Sequence, residues 1–336
     1  MSLKQTYGRF WFGSAVILFA VLALTGCKGF TTPGEREARQ QIGTVKAAYR
    51  PNGQRPVLPD LTTNSSLGDF LTYAMLNQPQ VEAAYYDWSA SVENITVTRS
   101  LPDPQLTFQM DIKNIVTSVM PGFMQQFPGP GKLRTQAKVA TADSQAKYFT
   151  FESAVLQTAY DVKQSYYRLW FLDEKIRVDR EMLRLLSELE RIARAQNDVG
   201  QVTLQDVYRA QIEEDRLKTE IANLEDSRHP LQAQFKAVLG LTREHPVPLL
   251  PGHFEATTLD LSPEQILDTA FARNPQLKAM EAEVRQAQAS LDLAYKAKVP
   301  DFSLGLMADV KMSPVLYRPL ATMTLPLWRD KIAAEI

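Results

Sequence analysis

The chain is poor in cysteine, histidine and surplus charge: it has one Cys and three His in 336 residues, and 37 basic against 38 acidic side chains leave a formal net charge of −1. The lone Cys27 excludes a disulfide framework and a Cys-based metal cluster. The near-neutral balance gives no basic field, so nucleic acid is not expected as a partner. His229, His245 and His253 are scattered, with no HExxH pair and no Ser-His-Asp order. No enzyme is therefore expected, and no cofactor or resident metal. Gly129-Pro130-Gly131-Lys132 lacks the spacing and the preceding buried strand of a phosphate loop. With 45% apolar and 22% charged residues the chain is still an ordinary foldable one.

Long apolar runs are scarce as well, and the one that exists lies at the start. Lys4 and Arg9 form a positive region, and Phe10 to Leu24 a mostly apolar one, which reads as an export signal over residues 1–26. As an uncleaved anchor the run is short and is interrupted at Gly13-Ser14. Leu24-Thr25-Gly26-Cys27 resembles the bacterial lipoprotein box, which implies acylation of Cys27 and anchorage by lipid. Lys28 stands where an aspartate would signal retention at the inner membrane, so the resemblance points to the outer one.

What is present is an internal duplication. Leu71, Ala74 and Pro79-Gln80 match Leu267, Ala270 and Pro275-Gln276, while Pro102-Asp103 matches Pro300-Asp301 and Phe127-Pro128 matches Leu325-Pro326. We therefore read a lipidated, extended N-terminal segment over 27–66, a first repeat over 67–260 and an incomplete second repeat over 261–336. In the first, a helix from Leu67 to about Ser100, kinked at Pro79, precedes a β-hairpin at 104–127, a long helical hairpin at 129–240 and a connecting equatorial segment at 241–260. The second repeats a helix at 262–298, a hairpin at 301–326 and the start of a long helix.

The hairpins show in the change of period. Leu106, Phe108, Met110 and Ile112 alternate with Gln105, Thr107, Gln109 and Asp111, one apolar and one polar face. A turn near Pro121-Gly122 is expected before the return strand. A soluble sheet and a tilted membrane strand fit this pattern equally. A two-stranded hairpin is marginal alone, however, and its distant counterpart suggests closure by other chains. Six methionines, Met110, Met120, Met124, Met307, Met312 and Met323, fall in the hairpins. Gap filling or lipid contact is their default account, and metal as cargo stays open.

From Lys132 to Asp198 there is neither proline nor glycine. A helix of that length would run roughly 100 Å. Val155, Ala159, Val162, Tyr166, Leu169, Leu172 and Ile176 recur at coiled-coil spacing, so this helix packs on helices. Gly200 can end it in a left-handed turn and Thr203 can cap the return arm, with Asp206 as capping-box partner. Leu217, Ile221, Leu224, Leu231, Phe235 and Val238 form the return seam, which Arg228 interrupts.

Asn77-Gln78-Pro79, Pro102-Asp103-Pro104 and Phe127-Pro128-Gly129-Pro130-Gly131-Lys132, in this order, resemble the TolC-like outer-membrane efflux family. The resemblance covers nearly everything after residue 60. It implies a mainly α fold with membrane β-hairpins: a long α-helical coiled-coil hairpin forming a periplasmic tunnel, and strands of an intersubunit β-barrel shared by a homotrimer. The implied role is the outer-membrane channel of a tripartite efflux or export system in a Gram-negative bacterium, a passive conduit for drugs, metal ions or other small substrates. The implied partners are a periplasmic adaptor (membrane fusion) protein, an inner-membrane pump and outer-membrane lipid.

By the same resemblance, Val199, Gly200 and Thr203 at the hairpin tip are expected to dock the adaptor. Asp198 and Asp206, flanked by Arg194 and Arg209, are expected at the periplasmic entrance gate as a ring of charge held by salt bridges. Asp206 equally reads as a plain helix cap. The chain departs from the family pattern in stopping at Ile336, where a second long helix is starting, so on its own it is not expected to be a competent duct. The rival reading is a lipid-anchored periplasmic coiled-coil adaptor or structural protein without a pore, which would carry a single hairpin and no duplication.

Overall fold

The computed structural model describes residues 31–62, 65–112, 116–248, 260–311 and 314–327. Cys27, His253, Met312 and the residues from 328 onward lie outside these, as does most of the equatorial segment. Helices are α1 (Pro33–Tyr49), α2 (Leu67–Asn77), α3 (Pro79–Arg99), α4 (Lys132–Asp198), α5 (Leu204–Asp226), α6 (Arg228–Val238), α7 (Pro263–Arg273) and α8 (Pro275–Tyr295). Four strands, β1 (Gln105–Ile112), β2 (Val116–Phe127), β3 (Phe302–Asp309) and β4 (Leu316–Met323), form one antiparallel sheet in sequence order.

Two expectations are corrected. The segment expected to be extended over 27–66 contains helix α1. Pro33 sits at its start, the Thr32 hydroxyl accepts the Glu35 N–H at 3.2 Å, and a run of good helix formers follows. Ala38, Ile42, Val45 and Tyr49 recur along it at helical spacing, a local signal that the extended reading passed over. The turn expected at Pro121-Gly122 is absent: both residues lie inside β2, paired with Phe108 and Thr107. Regular β2–β3 register begins at Gly122, and the next backbone bond beyond it runs from the Val310 N–H to the Val119 carbonyl at 3.0 Å, so Pro121 sits in a break of the ladder where a missing N–H is tolerated.

The chain forms two compact units. In the unit drawn from residues 31–45, 86–150 and 274–327, Trp88, Val92 and Ile95 of α3 are fully buried. Ala137, Ala140, Ala142 and Ala146 of α4 and Ala282 of α8 are buried too, small side chains that let helices approach closely. Trp88 packs on Tyr148 with ring centroids 4.9 Å apart. Gln286 and Arg285 of α8 donate to Asp143 and Gln145 of α4 at 3.2 and 3.3 Å. The sheet belongs to this unit.

The other unit, residues 46–85 and 151–273, is built on a cluster of Phe70, Ala74, Val162, Tyr166, Leu169, Phe235 and Leu239. Phe70 lies 5.4 Å from Phe235 and 5.8 Å from Tyr166, ring to ring. Leu172 and Ile176 continue the buried stripe of α4. The Asn77 carboxamide donates to the Leu239 and Gly240 carbonyls at 3.0 and 2.9 Å, and Gln78 to those of Ala237 and Val238. These are the carbonyls that a helix end leaves without partners. The return arm breaks at Ser227 into α5 and α6, and Arg228 there pairs with Asp173 at 2.7 Å.

Candidate functional site

Strand register sorts the sheet into two unlike faces, because directly paired residues share a side. The rows Leu106–Phe123–Leu306–Pro319 and Phe302–Met323 lie on one face, together with Phe108, Met110, Leu304 and Tyr317. All of these are exposed, Leu106 and Phe108 at 69%. The other face carries Thr107, Gln109, Ser118, Gln126, Ser303, Asp309, Arg318 and Thr322. Ser118 and Asp309 are buried there, the hydroxyl donating to the carboxylate at 2.8 Å, with Arg318 4.0 Å from the same group. Gln109, Gln126, Arg318 and Thr322 are exposed on this face, so its shelter is local to Ser118 and Asp309; the continuous apolar face turned outward is what inverts the sheet relative to a soluble domain, and it is the arrangement a lipid-facing strand requires. Among the described residues no helix is long and apolar enough to cross a membrane.

At the tip of the helical hairpin, α4 ends at Asp198 and Gly200 adopts φ +77°, the left-handed geometry that favours glycine. The Asn197 carboxamide donates to the Val202 carbonyl at 2.9 Å and fixes the turn. The Asp206 carboxylate accepts the Thr203 N–H at 3.1 Å and its hydroxyl at 2.7 Å, so Asp206 acts as the cap. Those two hydrogen bonds, opposed by desolvation and helped by Arg209, hold its pKa below the usual range. Val199 is exposed at 69% with no apolar cover. The flanking arginines do not meet across the turn: Arg194 pairs with Glu190 on its own helix at 2.5 Å, and Arg209 lies 3.9 Å from Asp206. Within one chain the tip is thus held by capping and the Asn197 bond rather than by an arginine bridge.

Residues 71–241 match the family described as outer membrane efflux protein. The chain belongs to this family. Three solved structures show the same fold: CusC (14% identity, TM-score 0.65, 84% of this chain against 74% of that one), the Neisseria gonorrhoeae MtrE outer membrane channel in its open state (15%, 0.64, 84% against 70%) and the Vibrio cholerae outer membrane protein VceC (14%, 0.63, 80% against 71%). No curated protein matches the chain at the level of sequence.

Two polar clusters of this efflux protein escaped the sequence reading. Glu35, fully buried, accepts Arg39 at 3.1 Å and Arg99 at 2.7 Å, while the Thr96 hydroxyl donates to it at 3.2 Å. Burial alone would push its carboxyl up, but the Arg39 and Arg99 hydrogen bonds, the Arg99 charge and Thr96 outweigh that and hold it low. At the foot of the sheet, Asp301 accepts the Gly129 N–H at 2.6 Å and the Lys132 ammonium at 2.8 Å. The Pro-Asp and Gly-Lys motifs were visible signals for the second cluster; nothing local announced the first, whose partners lie about sixty residues apart.

Proposed function

We propose that this chain is a subunit of a homotrimeric outer-membrane conduit, passive and without chemistry of its own, through which small substrates such as drugs or metal ions leave the periplasm. The observation that carries the proposal is the inverted sheet, whose two outer strands, β1 and β4, each pair on one side only. Open strand edges are not tolerated in lipid, so closure into a barrel by neighbouring copies accounts for both edges at once. Cys27 is the lipid anchor. The helical hairpin stands in the periplasm and presents Val199, Gly200 and Thr203 to an adaptor that links the conduit to an inner-membrane pump. Asp198 and Asp206, with Arg194 and Arg209, line its entrance. Two hairpins in one sheet also speak against the rival adaptor reading, which called for one.

The test is expression with residues 1–27 intact, membrane fractionation and unheated gel electrophoresis, in parallel with a form extended C-terminally by a helical hairpin patterned on residues 132–240. Heat-sensitive trimers of the extended form in the outer membrane support the reading. Monomers of both forms in the soluble or inner-membrane fraction overturn it.

A further inference from the structure

Ten methionines occur in the chain, and the register brings three of them together on the polar face of the sheet. Met120 and Met124 flank Gly122 on β2, and Gly122 pairs with Met307 of β3, while Met124 pairs with Gly305. Thioether and glycine therefore alternate as on a checkerboard. A Cβ built on Gly122 would lie 2.6 Å from Met307 Cγ, so the Met307 side chain lies across β2 in the gap the missing side chain leaves. A Cβ on Gly305 would lie 2.9 Å from the Phe123 carbonyl oxygen and in ordinary contact, 3.5 Å, with Met124 Cβ. From there Met307 is the diagonal neighbour of both Met120 and Met124, a separation of about 7–8 Å between backbones that two long, unbranched side chains can bridge.

We propose that Met307, with Met120 and Met124, forms a thioether site for a soft monovalent cation, Cu(I) or Ag(I), on the polar face of the sheet. Thioether sulfur selects such ions over hard divalent ones. Among the described residues no group of three or more His, Cys, Asp or Glu is placed to hold a metal, so a hard cation has no comparable site. Arg318, the β4 partner of Met307, lies 4.0 Å from the buried Asp309 carboxylate, so the two charges on this face largely offset each other and the sulfurs carry the site. A monovalent ion held by neutral sulfurs alone is bound loosely enough to leave, which suits a station on a path. The inference rests on the reading of this face as the lumen side.

The test uses the C-terminally extended form described above, purified in detergent and titrated with Ag(I), a redox-stable probe, against a competing thioether ligand, with the oligomer followed on unheated gels in the same samples. Met307→Leu, nearly isosteric, is expected to weaken Ag(I) binding roughly tenfold or more. Met120→Leu and Met124→Leu are each expected to weaken it by less, and Met110→Leu and Met323→Leu on the apolar face to leave it unchanged. Cys27 is common to all variants and cancels in the comparison. Equal Ag(I) uptake by the parent and Met307→Leu, in samples that still form trimers, overturns the site and leaves the conduit standing; the methionines then only fill space. Absence of trimers in every sample, parent included, overturns the lumen reading and the site with it.

Discussion

Asp301, one residue before β3, holds Lys132, the first residue of α4, at 2.8 Å, and the same carboxylate oxygen accepts the Gly129 N–H at 2.6 Å. One side chain thereby ties the chain's exit from β2 to the start of β3, where the sheet passes into helices. Burial pushes the Asp301 carboxyl up, but Lys132 and the Gly129 N–H together hold it below the ordinary range. Asp301→Asn is expected to destabilise the protein by about 1–2 kcal/mol, the worth of a charge-assisted hydrogen bond at a half-exposed site. Gly129→Ala is expected to cost more, since a Cβ there would lie 2.5 Å from the Pro300 carbonyl oxygen. Thermal melts of both variants check the order, and a harmless Gly129→Ala would contradict the geometry.

Much of this architecture was legible. The absence of Pro and Gly over 132–198 marked α4 to the residue, and Thr203 with Asp206 marked the start of the return arm, because both signals are local. The alternation from Leu106 to Ile112 gave β1 for the same reason. What stayed hidden depends on partners distant in sequence. Pro121 looked like a turn because proline usually leaves a strand; only the break in the β2–β3 ladder between Val119 and Gly122 shows why it can stay. Helix α1 is held by Arg99 and Thr96, which no local pattern links to Glu35. At the tip, Arg194 and Arg209 each pair with an acidic residue one turn away on their own helix, a spacing the sequence itself displays.

The Glu35 cluster predicts a pH-dependent hold on α1. Because its folded-state carboxyl ionises below the ordinary glutamate range, the stability it contributes is fully present above about pH 5 and is lost as pH falls through the lowered folded value. Protection of α1 from hydrogen exchange is expected to be high near neutral pH and to fall once the pH drops below the ordinary glutamate range. Glu35→Ala, which removes the buried carboxylate that ties α1 to Arg99, is expected to cost about 3–5 kcal/mol and to free α1 at all pH values. Exchange of α1 that ignores both pH and the substitution would refute this role.

Asn77 predicts a coupling between α2 and the end of α6. Asn77→Ala removes the donor to the Leu239 and Gly240 carbonyls and is expected to cost about 1–2 kcal/mol. Gly240 has φ +70°, and a Cβ there would lie 2.9 Å from the Asn77 carbonyl oxygen, so Gly240→Ala is expected to be worse. The check is exchange protection at Leu239–Leu241, which the first variant should lower more than protection elsewhere.

The tip separates folding from docking. A side chain at Gly200 meets nothing within 4 Å, so Gly200→Ala is expected to cost only the positive-φ strain, about 1 kcal/mol. Val199→Asp, at an exposed position, is expected to leave the melting temperature unchanged while abolishing adaptor capture in a cross-linking assay. Unimpaired capture by Val199→Asp would move the docking surface away from this turn.

The central claim is that the sheet turns one face to lipid and the other to water, and it is tested most directly by single spin labels placed along β1 and β3 in outer-membrane preparations. Labels at Leu106, Phe108, Leu304 and Leu306 are predicted to collide with lipid-dissolved oxygen, and those at Thr107, Gln109 and Ser303 with a water-soluble relaxant, alternating residue by residue. Equal access of the water-soluble agent to both sets would contradict the account.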